Sequence, residues 1–129
     1  MESSQIIVYG VLAFMLVLYG RKAWYRRSIK NYTPSSLKEA MSNPSALLLL
    51  DVRSDKEHRQ GTIRGSMHIP LHHLVRRMDE LEKHKSKEIV CFCQTGSRSI
   101  NAAIRLKKYG FTVANLEGGM SEWNFETHR

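Results

Sequence analysis

The sequence predicts an α/β domain, built on a mostly parallel sheet with helices on both faces and preceded by one transmembrane helix. Residues 46–51 form a continuous apolar run of strand length, which is typical of a strand covered on both faces. Predicted strands and helices alternate along the rest of the chain, and this order favours a parallel sheet with helices packed against it. Residues 3–20 contain no charged side chain and lie before all of these elements.

The uncharged segment 3–20 is long enough to cross a bilayer once. In a helix its 18 residues extend about 27 Å, close to the thickness of the hydrocarbon core. Arg21 and Lys22 follow the segment, and Trp24 and Tyr25 suit the headgroup region, so the helix can continue for another turn. The lipid bilayer is therefore a predicted partner of this part of the chain.

Two other interpretations of this segment remain open, a cleaved secretory signal and a buried core helix. A secretory signal carries its positive charge before the apolar run, whereas here Glu2 precedes the run and the basic residues follow it. A core helix that is apolar on all sides is not required by any other part of the chain. By the positive-inside rule we expect a single-pass protein of the inner, cytoplasmic membrane, with its N-terminus outside and its domain in the cytoplasm.

Positive charge is concentrated next to this apolar segment. The formal net charge is +8, and residues 1–31 hold five basic side chains against the single acidic Glu2. We therefore divide the chain into residues 1–31, a transmembrane helix with a basic juxtamembrane connector, and residues 32–129, the α/β domain. The domain shows no DNA-binding motif and no basic stripe interleaved with aromatic side chains, so we predict no nucleic-acid partner.

The domain is predicted to begin with a short helix and a buried strand. Thr33 suits the N-cap and Pro34 suits the first helical position, so the helix should run from there to about Ser42. Residues 43–45, with the sequence Asn-Pro-Ser, break this helix. The apolar run 46–51 then follows as the first strand of the predicted sheet.

The middle of the domain is predicted to hold three elements. A short helix over 54–60 ends at Gly61, and a short strand over 66–69 is closed by Pro70. The pattern over 71–83 predicts an amphipathic helix, because apolar residues recur there at helical spacing. The residues of its apolar face are Leu71, Leu74, Val75, Met78 and Leu81.

The last part of the domain is predicted to alternate again between strand and helix. A strand over 87–92 leads to a helix over 99–109, which Gly110 caps. A final strand covers 112–116, and a terminal helix covers about 120–125. In open parallel sheets ligands gather at the carboxyl ends of the strands, and this rule points to the loop that follows residue 92.

The loop after residue 92 has the composition of a reactive-cysteine site. Cys93 stands at the end of a predicted strand and is followed by small residues and then by the start of a helix. Backbone N–H groups of such a loop, together with the unpaired N–H groups of the helix's first turn, point toward the sulfur and favour its anionic form. Arg98 adds a permanent positive charge at the same place.

Four segments, in the expected order, resemble the rhodanese-like sulfurtransferases. Cys93-Gln94-Thr95-Gly96-Ser97-Arg98-Ser99 resembles their active-site pattern Cys-x-x-Gly-x-Arg-Ser. Asp51-Val52-Arg53 resembles their early Asp-x-Arg signature, and residues 61–70 resemble their Gly-His-Ile-x-Gly-Ala-x-x-Ile-Pro stretch. Residues 116–123 resemble their closing Gly-Gly and Trp. The likeness covers roughly residues 33–125, and it implies a rhodanese-like α/β fold.

The resemblance implies an enzyme that transfers sulfur through a persulfide on Cys93. The thiolate would take the outer sulfur of a donor, thiosulfate or a persulfide, and pass it to cyanide or to a thiol, including a protein thiol. Cys93 and Arg98 are the implied catalytic residues, and Asp51 and Arg53 are implied structural supports. The implied substrate-binding residues, all in the loop, are Gln94, Thr95, Gly96, Ser97 and Ser99. No cofactor is implied.

The spacing within the loop separates sulfur transfer from related thiol chemistry. Four residues lie between Cys93 and Arg98, whereas phosphatases and arsenate reductases place one residue more there, in a loop wide enough for a tetrahedral oxyanion. The tighter loop favours the acceptance of a single sulfur atom. A thiol-dependent phosphatase or arsenate reductase is the less favoured alternative, and a rhodanese-like interaction module with an idle cysteine is the other.

Cys91 and the six histidines are the remaining candidate groups. Cys91 lies two residues before Cys93, so on a strand both side chains face the same way. Cys91 is either a resolving thiol or, as we favour, an inert core residue. The histidines show no ligand spacing, and we predict no metal site. Thr62 replaces the histidine that the family usually has after Gly61, and His58 stands where an aromatic residue is common.

Overall fold

A computed structural model describes residues 2–128 of the chain. Four α-helices lie in this part of the chain: α1 (Ser3–Arg27), α2 (Pro34–Ala40), α3 (Asp55–Arg59) and α4 (Ser97–Lys108). The strands are β1 (Lys30–Tyr32), β2 (Leu47–Asp51), β3 (Thr62–Ile63), β4 (Met67–His68), β5 (Glu88–Phe92), β6 (Thr112–Leu116) and β7 (Thr127–His128). Three 3-10 helices cover Leu71–His73, Met78–His84 and Gly119–Glu122.

Five of the strands form one parallel sheet in the order β1-β6-β5-β2-β4. The predicted α/β class with a mostly parallel sheet is therefore confirmed. β3 and β7 form a separate antiparallel pair. Because the five strands run the same way, their carboxyl ends meet at one edge of the sheet. At this edge Asp51 ends β2, Cys93 follows β5 and Leu116 ends β6.

Helices cover both faces of the sheet, as predicted. The residues of β5 show this directly, because Ile89 and Cys91 face the core beneath α4, whereas Val90 and Phe92 face the core beneath α2, which contains Leu37. The alternation follows from the two-residue period of a strand. Full burial of a large apolar side chain contributes about 1.5–3 kcal/mol, so both cores stabilise the sheet that carries the loop after β5.

The N-terminal helix α1 continues to Arg27 and buries none of its residues. Among residues 2–128 it is the one helix that is long and apolar enough to span a membrane, judged by length and composition. β1 begins at Lys30 and pairs with β6, so that Asn31 lies opposite Asn115. This strand is missing from the sequence prediction because three polar residues at a sheet edge leave no apolar run to detect. The division of the chain at residue 31 stays a prediction.

The amphipathic α-helix predicted over 71–83 is wrong. This segment forms two 3-10 helices joined by turns. Leu74, Met78 and Leu81 are buried as predicted, but Val75 is 54% exposed. A spacing of three residues fits both kinds of helix. Val75 lies in the turns between the two 3-10 helices, where the backbone leaves the α-helical period that would place its side chain on the apolar face.

The terminal helix predicted over 120–125 is also wrong in extent. Only a short 3-10 helix forms, and Trp123 already has an extended backbone and a buried side chain. The chain then leads into β7, which pairs with β3. Strands of two residues carry no detectable period, so the sequence does not predict this pair. The other predicted helices and strands are confirmed to within two residues at each end.

Candidate active site

Cys93 lies at the carboxyl edge of the sheet, directly after β5, and its side chain is fully buried. The Gly96 N–H donates a hydrogen bond to the Cys93 Sγ over 3.0 Å, and the Ser99 Oγ lies 3.4 Å from the same atom. Gly96 caps the start of α4 with a φ of +106°, a left-handed conformation that residues with a side chain rarely adopt. The loop therefore curls around the sulfur.

These surroundings favour the thiolate form of Cys93. Burial raises the pKa of the Cys93 thiol, but hydrogen bonds from the Ser99 hydroxyl and from the backbone N–H groups of Ser99, Gly96 and Thr95 outweigh it. The pKa of Cys93 therefore lies below its ordinary value. Because the thiolate is the nucleophilic form of cysteine, a larger fraction of Cys93 is reactive at neutral pH than of an ordinary cysteine.

Arg98, the second predicted catalytic residue, faces a carboxylate. Its Nη1 and Nη2 donate to Oε1 and Oε2 of Glu57 over 2.7 and 2.8 Å. The Arg98 guanidinium is the main cause that lowers the pKa of Glu57 to about 2. The Arg98 guanidinium attracts the Cys93 thiolate electrostatically, but among residues 2–128 no hydrogen bond joins the two side chains. Its part in catalysis stays a prediction.

Asp51 and Arg53, the predicted supports, form a buried ion pair at the end of β2. Nε and Nη2 of Arg53 lie 3.0 Å from the two carboxylate oxygens of Asp51. The same guanidinium donates to the Gly61 carbonyl over 2.6 Å and to the side-chain carbonyl of Gln94 over 3.3 Å. The structure thus ties the segment after β2 to the loop of Cys93. Removing one partner of such a buried pair costs about 3–5 kcal/mol, because the other charge is left uncompensated.

The two residues that differ from the rhodanese sequence pattern, His58 and Thr62, both contact the carboxylate of Asp51. His58 Nδ1 lies 3.0 Å from Oδ2 of Asp51, and the Thr62 hydroxyl donates to the same oxygen over 2.9 Å. His58 also stacks on His68, with ring centroids 4.0 Å apart. Burial raises the pKa of Asp51, but hydrogen bonds from Arg53 and His58 lower it by more, so the pKa lies below its ordinary value and Asp51 is a carboxylate at neutral pH.

A second segment holds the loop from the side of β6. The Met120 N–H donates to the Cys93 carbonyl and the Ser121 N–H donates to the Gln94 carbonyl, each over 2.9 Å. Gly119 lies directly against these carbonyl groups, since a Cβ at this position would come within 2.3 Å of the Cys93 oxygen. Its φ is +58°, so both the backbone conformation and the space require glycine.

The middle of the loop faces solvent. Thr95 and Ser97 are exposed and, with Gly96, line an open cavity of about 340 Å³. Arg26 of α1 and Asn115 of β6 form other walls of this cavity. The structure therefore places these loop residues beside a space that a small ligand can enter, and their part in substrate binding stays a prediction.

Cys91 lies on the same face of β5 as Cys93, as predicted, and both thiols are free. The Cys91 side chain is fully buried, and burial together with the neighbouring Cys93 raises its pKa far above the ordinary value. A resolving thiol must lose its proton to react, which burial opposes at Cys91, whereas hydrogen bonds favour it at Cys93. The geometry therefore favours the interpretation of Cys91 as an inert core residue.

Two polar residues of the site are absent from the sequence prediction. Glu57 forms a capping box with Ser54 at the start of α3, and the Ser-x-x-Glu spacing is the signal that could have found it. Asn115 is 2% exposed, accepts a hydrogen bond from the Ser99 hydroxyl over 2.5 Å and donates to Asn31 Oδ1 over 3.0 Å. The sequence signal for Asn115 is a single amide side chain at the end of an otherwise apolar strand, because a buried polar group needs a hydrogen-bond partner nearby.

A family model for the rhodanese-like domain matches residues 33–126 of the chain. Among curated proteins, "Putative sulfurtransferase YtwF" of Bacillus subtilis (strain 168) is 38% identical over 99 residues, which cover 77% of this chain and 94% of that protein. "Sulfurtransferase" of Allochromatium vinosum is 34% identical over 89 residues, which cover 68% of this chain and 81% of that protein.

Solved structures share the fold of this chain. A rhodanese-like domain protein from Staphylococcus aureus superposes with a TM-score of 0.70 at 28% identity, over 76% of this chain and 94% of that chain. The rhodanese-like fold that the four sequence segments imply is thereby confirmed.

Proposed function

The chain belongs to the rhodanese-like domain family, and on this premise we propose that it is a membrane-anchored sulfurtransferase. Cys93 carries the sulfur as a persulfide, from a donor such as thiosulfate to cyanide or to a thiol. Relatives that are named sulfurtransferases support the transfer of sulfur. The observation that carries the proposal is the pair of hydrogen-bonding groups at the sulfur of Cys93, the Gly96 N–H and the Ser99 hydroxyl.

In the first half-reaction the Cys93 thiolate attacks the outer sulfur of thiosulfate. A new S–S bond forms, the S–S bond of thiosulfate breaks, and sulfite leaves with the electron pair of the broken bond. Cys93 is then a persulfide anion. In the second half-reaction cyanide attacks the terminal sulfur, thiocyanate forms, and the electron pair returns to Cys93 as the thiolate. The two steps balance without any outside oxidant or reductant.

The loop stabilises the negative charge in both halves of the cycle. The Gly96 N–H donates to the sulfur, and α4 presents the positive end of its dipole where it begins at Ser97. Arg98, the second proposed catalytic residue, adds a positive charge that Glu57 holds in place through two hydrogen bonds. Removing one preorganised donor of this kind typically lowers the rate by roughly 10²–10³.

The helix α1 is proposed to cross the inner membrane once, with the N-terminus outside and the domain in the cytoplasm. Its apolar side chains are exposed from Ile6 to Tyr19, and Arg26 and Arg27 stand in its last turn. A cytoplasmic location also suits the chemistry, because a reducing compartment keeps the thiol of Cys93 free to react. The acceptor is then a small thiol or a protein thiol at the membrane surface.

Sulfur transfer by the purified full chain in detergent tests the proposal. With thiosulfate and cyanide the protein is expected to form thiocyanate, which is followed as its coloured iron complex. Cys93→Ser should reduce the rate to that of the uncatalysed reaction, because the attacking atom is lost. Cys91→Ser should keep most of the activity, since the Cys91 thiol is buried and protonated.

Two results would point to the alternatives instead. If neither thiosulfate nor a persulfide donor yields product, the chain is better described as a non-catalytic interaction module. Hydrolysis of an aryl phosphate that disappears in Cys93→Ser would favour a thiol-dependent phosphatase.

A further inference from the structure

The hydroxyl of Ser99 has one proton and three acceptors within reach. Its Oγ lies 2.5 Å from Asn115 Oδ1, 3.1 Å from the Gly96 carbonyl oxygen and 3.4 Å from Cys93 Sγ. A hydroxyl donates only one hydrogen bond at a time. The shortest contact takes the proton, so Ser99 donates to Asn115, and in its contact with the sulfur the Cys93 thiol is the donor. This arrangement fits the protonated thiol.

The thiolate requires the opposite arrangement. Once Cys93 has lost its proton, the sulfur only accepts, and the Ser99 hydroxyl must turn from Asn115 to the sulfur. The amide oxygen of Asn115 then loses its donor in a position that is 2% exposed, which is unfavourable for a polar atom. A rotation of the Asn115 side-chain amide by about 180° avoids this unpaired oxygen, because Asn115 Nδ2 then faces the Ser99 oxygen and donates a hydrogen bond to it.

Asn31 sets the direction in which the Asn115 amide points. Asn115 Nδ2 donates to Asn31 Oδ1 over 3.0 Å, and Asn31 Nδ2 donates to the Ile29 carbonyl over 3.3 Å. The two asparagines are direct partners in the register of β1 and β6. When Asn115 turns over, Asn31 must present its NH2 group in place of its oxygen and gives up its hydrogen bond to the Ile29 carbonyl, which an exposed residue such as Asn31 can replace with water. The amide pair therefore has two arrangements, one that fits the thiol and one that fits the thiolate.

We propose that Asn115 is a positioning residue of the sulfur-transfer site, which with Asn31 decides whether the single proton of Ser99 goes to an amide oxygen or to the sulfur of Cys93. The proposal rests on the proposed function, because the first half-reaction begins, and the second ends, with the anion on this sulfur. Asn115 acts only through Ser99 and does not itself touch the reacting atom. Through Asn31 it connects the sulfur to β1, the strand that follows the N-terminal helix.

Several ionisable groups face the same loop from the neighbouring elements. They are the Cys91 thiol on β5, the Arg98–Glu57 pair of α4 and α3, the Asp51–Arg53 pair after β2 with His58 and His68 beside it, Glu117 after β6 and Arg26 of α1. A change of Asn115 to leucine alters none of these charges. Its effect on the thiol therefore reports hydrogen bonding through Ser99.

The pH dependence of Cys93 alkylation tests the proposal. The full chain in detergent is treated with iodoacetamide at a series of pH values, and the rate at the Cys93 peptide, read by mass spectrometry, gives an apparent pKa. Ser99→Ala is expected to raise this pKa, because it removes a donor to the thiolate. Asn115→Leu is expected to lower it by about 0.5–1 pH unit, because the protonated thiol form loses the Ser99–Asn115 hydrogen bond and only the Gly96 carbonyl still competes with the sulfur for the Ser99 proton. In the Ser99→Ala background, Asn115→Leu should have no effect.

The exposed Asn101 on α4 provides a matched control, and Asn101→Leu should leave the apparent pKa of Cys93 unchanged. Asn115→Ala removes the same oxygen with less bulk and takes the place of the leucine variant if that variant does not fold. The proposal would be overturned if the folded Asn115 variant left the apparent pKa of Cys93 unchanged. It would also be overturned if Asn115→Leu shifted this pKa equally in the wild-type and Ser99→Ala backgrounds. Alkylation needs no sulfur donor, so this result is separate from a failure of the wild-type chain to transfer sulfur.

Discussion

Two arginines flank the active-site loop, and each is already held by a carboxylate. Arg98 is bound by both oxygens of Glu57, and Arg53 is bound by both oxygens of Asp51. The groups that contact the sulfur of Cys93 are neutral donors. The acidity of this thiol therefore depends mainly on neutral dipoles: the Gly96 N–H, which is fixed by the backbone, and the Ser99 hydroxyl, which can also donate to Asn115.

The close approach of Gly119 to the loop leads to a prediction. A Cβ at Gly119 would collide with the Cys93 and Gln94 carbonyl groups, whereas a Cβ at Gly118 would collide with Cβ and Cγ of Glu122, away from these carbonyl groups. Gly119→Ala should therefore lower the free energy of unfolding by about 2–3 kcal/mol and reduce sulfur transfer, because the loop must move.

Gly118→Ala is the control for this change. Its φ of +75° carries the same left-handed cost of about 1 kcal/mol, and its Cβ would crowd Glu122 instead of the loop of Cys93, so this variant should destabilise the fold while affecting sulfur transfer less. Chemical unfolding and thiocyanate formation measure both variants. If the two variants lost sulfur-transfer activity equally, the contact of Gly119 with the loop would be unimportant for the reaction.

The helices and strands differ in how far local sequence determines them. The strands β2, β5 and β6 are predicted well, because parallel strands that are covered on both faces consist mostly of consecutive apolar residues. The segment over 71–83 is predicted in its buried residues but not in its hydrogen bonding, since apolar spacing alone does not distinguish an α-helix from 3-10 turns. The exposed position of Val75 is the consequence.

This difference can be measured with two alanine variants. Leu81 is fully buried, so Leu81→Ala should lower the free energy of unfolding by about 2–5 kcal/mol. Val75 is 54% exposed, so Val75→Ala should change it by less than about 0.5 kcal/mol. An amphipathic α-helix would bury both side chains. A large loss in Val75→Ala during urea unfolding would therefore contradict the 3-10 arrangement.

In the whole molecule, the end of α1 contacts the same helix that begins at the active-site loop. Lys107 of α4 donates to the Ser28 carbonyl over 3.3 Å, and the Lys108 ammonium lies 4.9 Å from the centre of the Tyr25 ring. β1 then adds the chain to the edge of the sheet beside β6. These contacts attach the proposed membrane anchor to the catalytic domain on the side of α4.

The proposed membrane span gives a prediction for the full chain. Produced in a bacterial host, the protein should remain in the membrane fraction after alkaline carbonate washing. Leu12→Arg places a charge at the centre of the span, where it costs about 2.5–3.5 kcal/mol, and should shift a large part of the protein to the soluble fraction. Gln5→Arg, near the end of the span, is the control and should stay with the membrane. Full release of the wild-type chain by carbonate would refute the anchor.

Contacts between distant parts of the chain explain what the sequence leaves out of the site. Cys93, Gly96 and Ser99 lie in one loop, and their types and spacing predict a reactive thiol. Glu57 and Asn115 reach this loop from α3 and β6, and only the folded sheet brings them there. Long-range pairs of this kind depend on strand order and register, which no local pattern encodes.

The mass of the intact chain after exposure to thiosulfate is the measurement that decides whether Cys93 carries sulfur. We expect a gain of about 32 Da, one sulfur atom, that requires Cys93, persists in Cys91→Ser and is removed by cyanide. No gain in mass with thiosulfate or with a persulfide donor, or a gain that persists in Cys93→Ser, would contradict the persulfide mechanism.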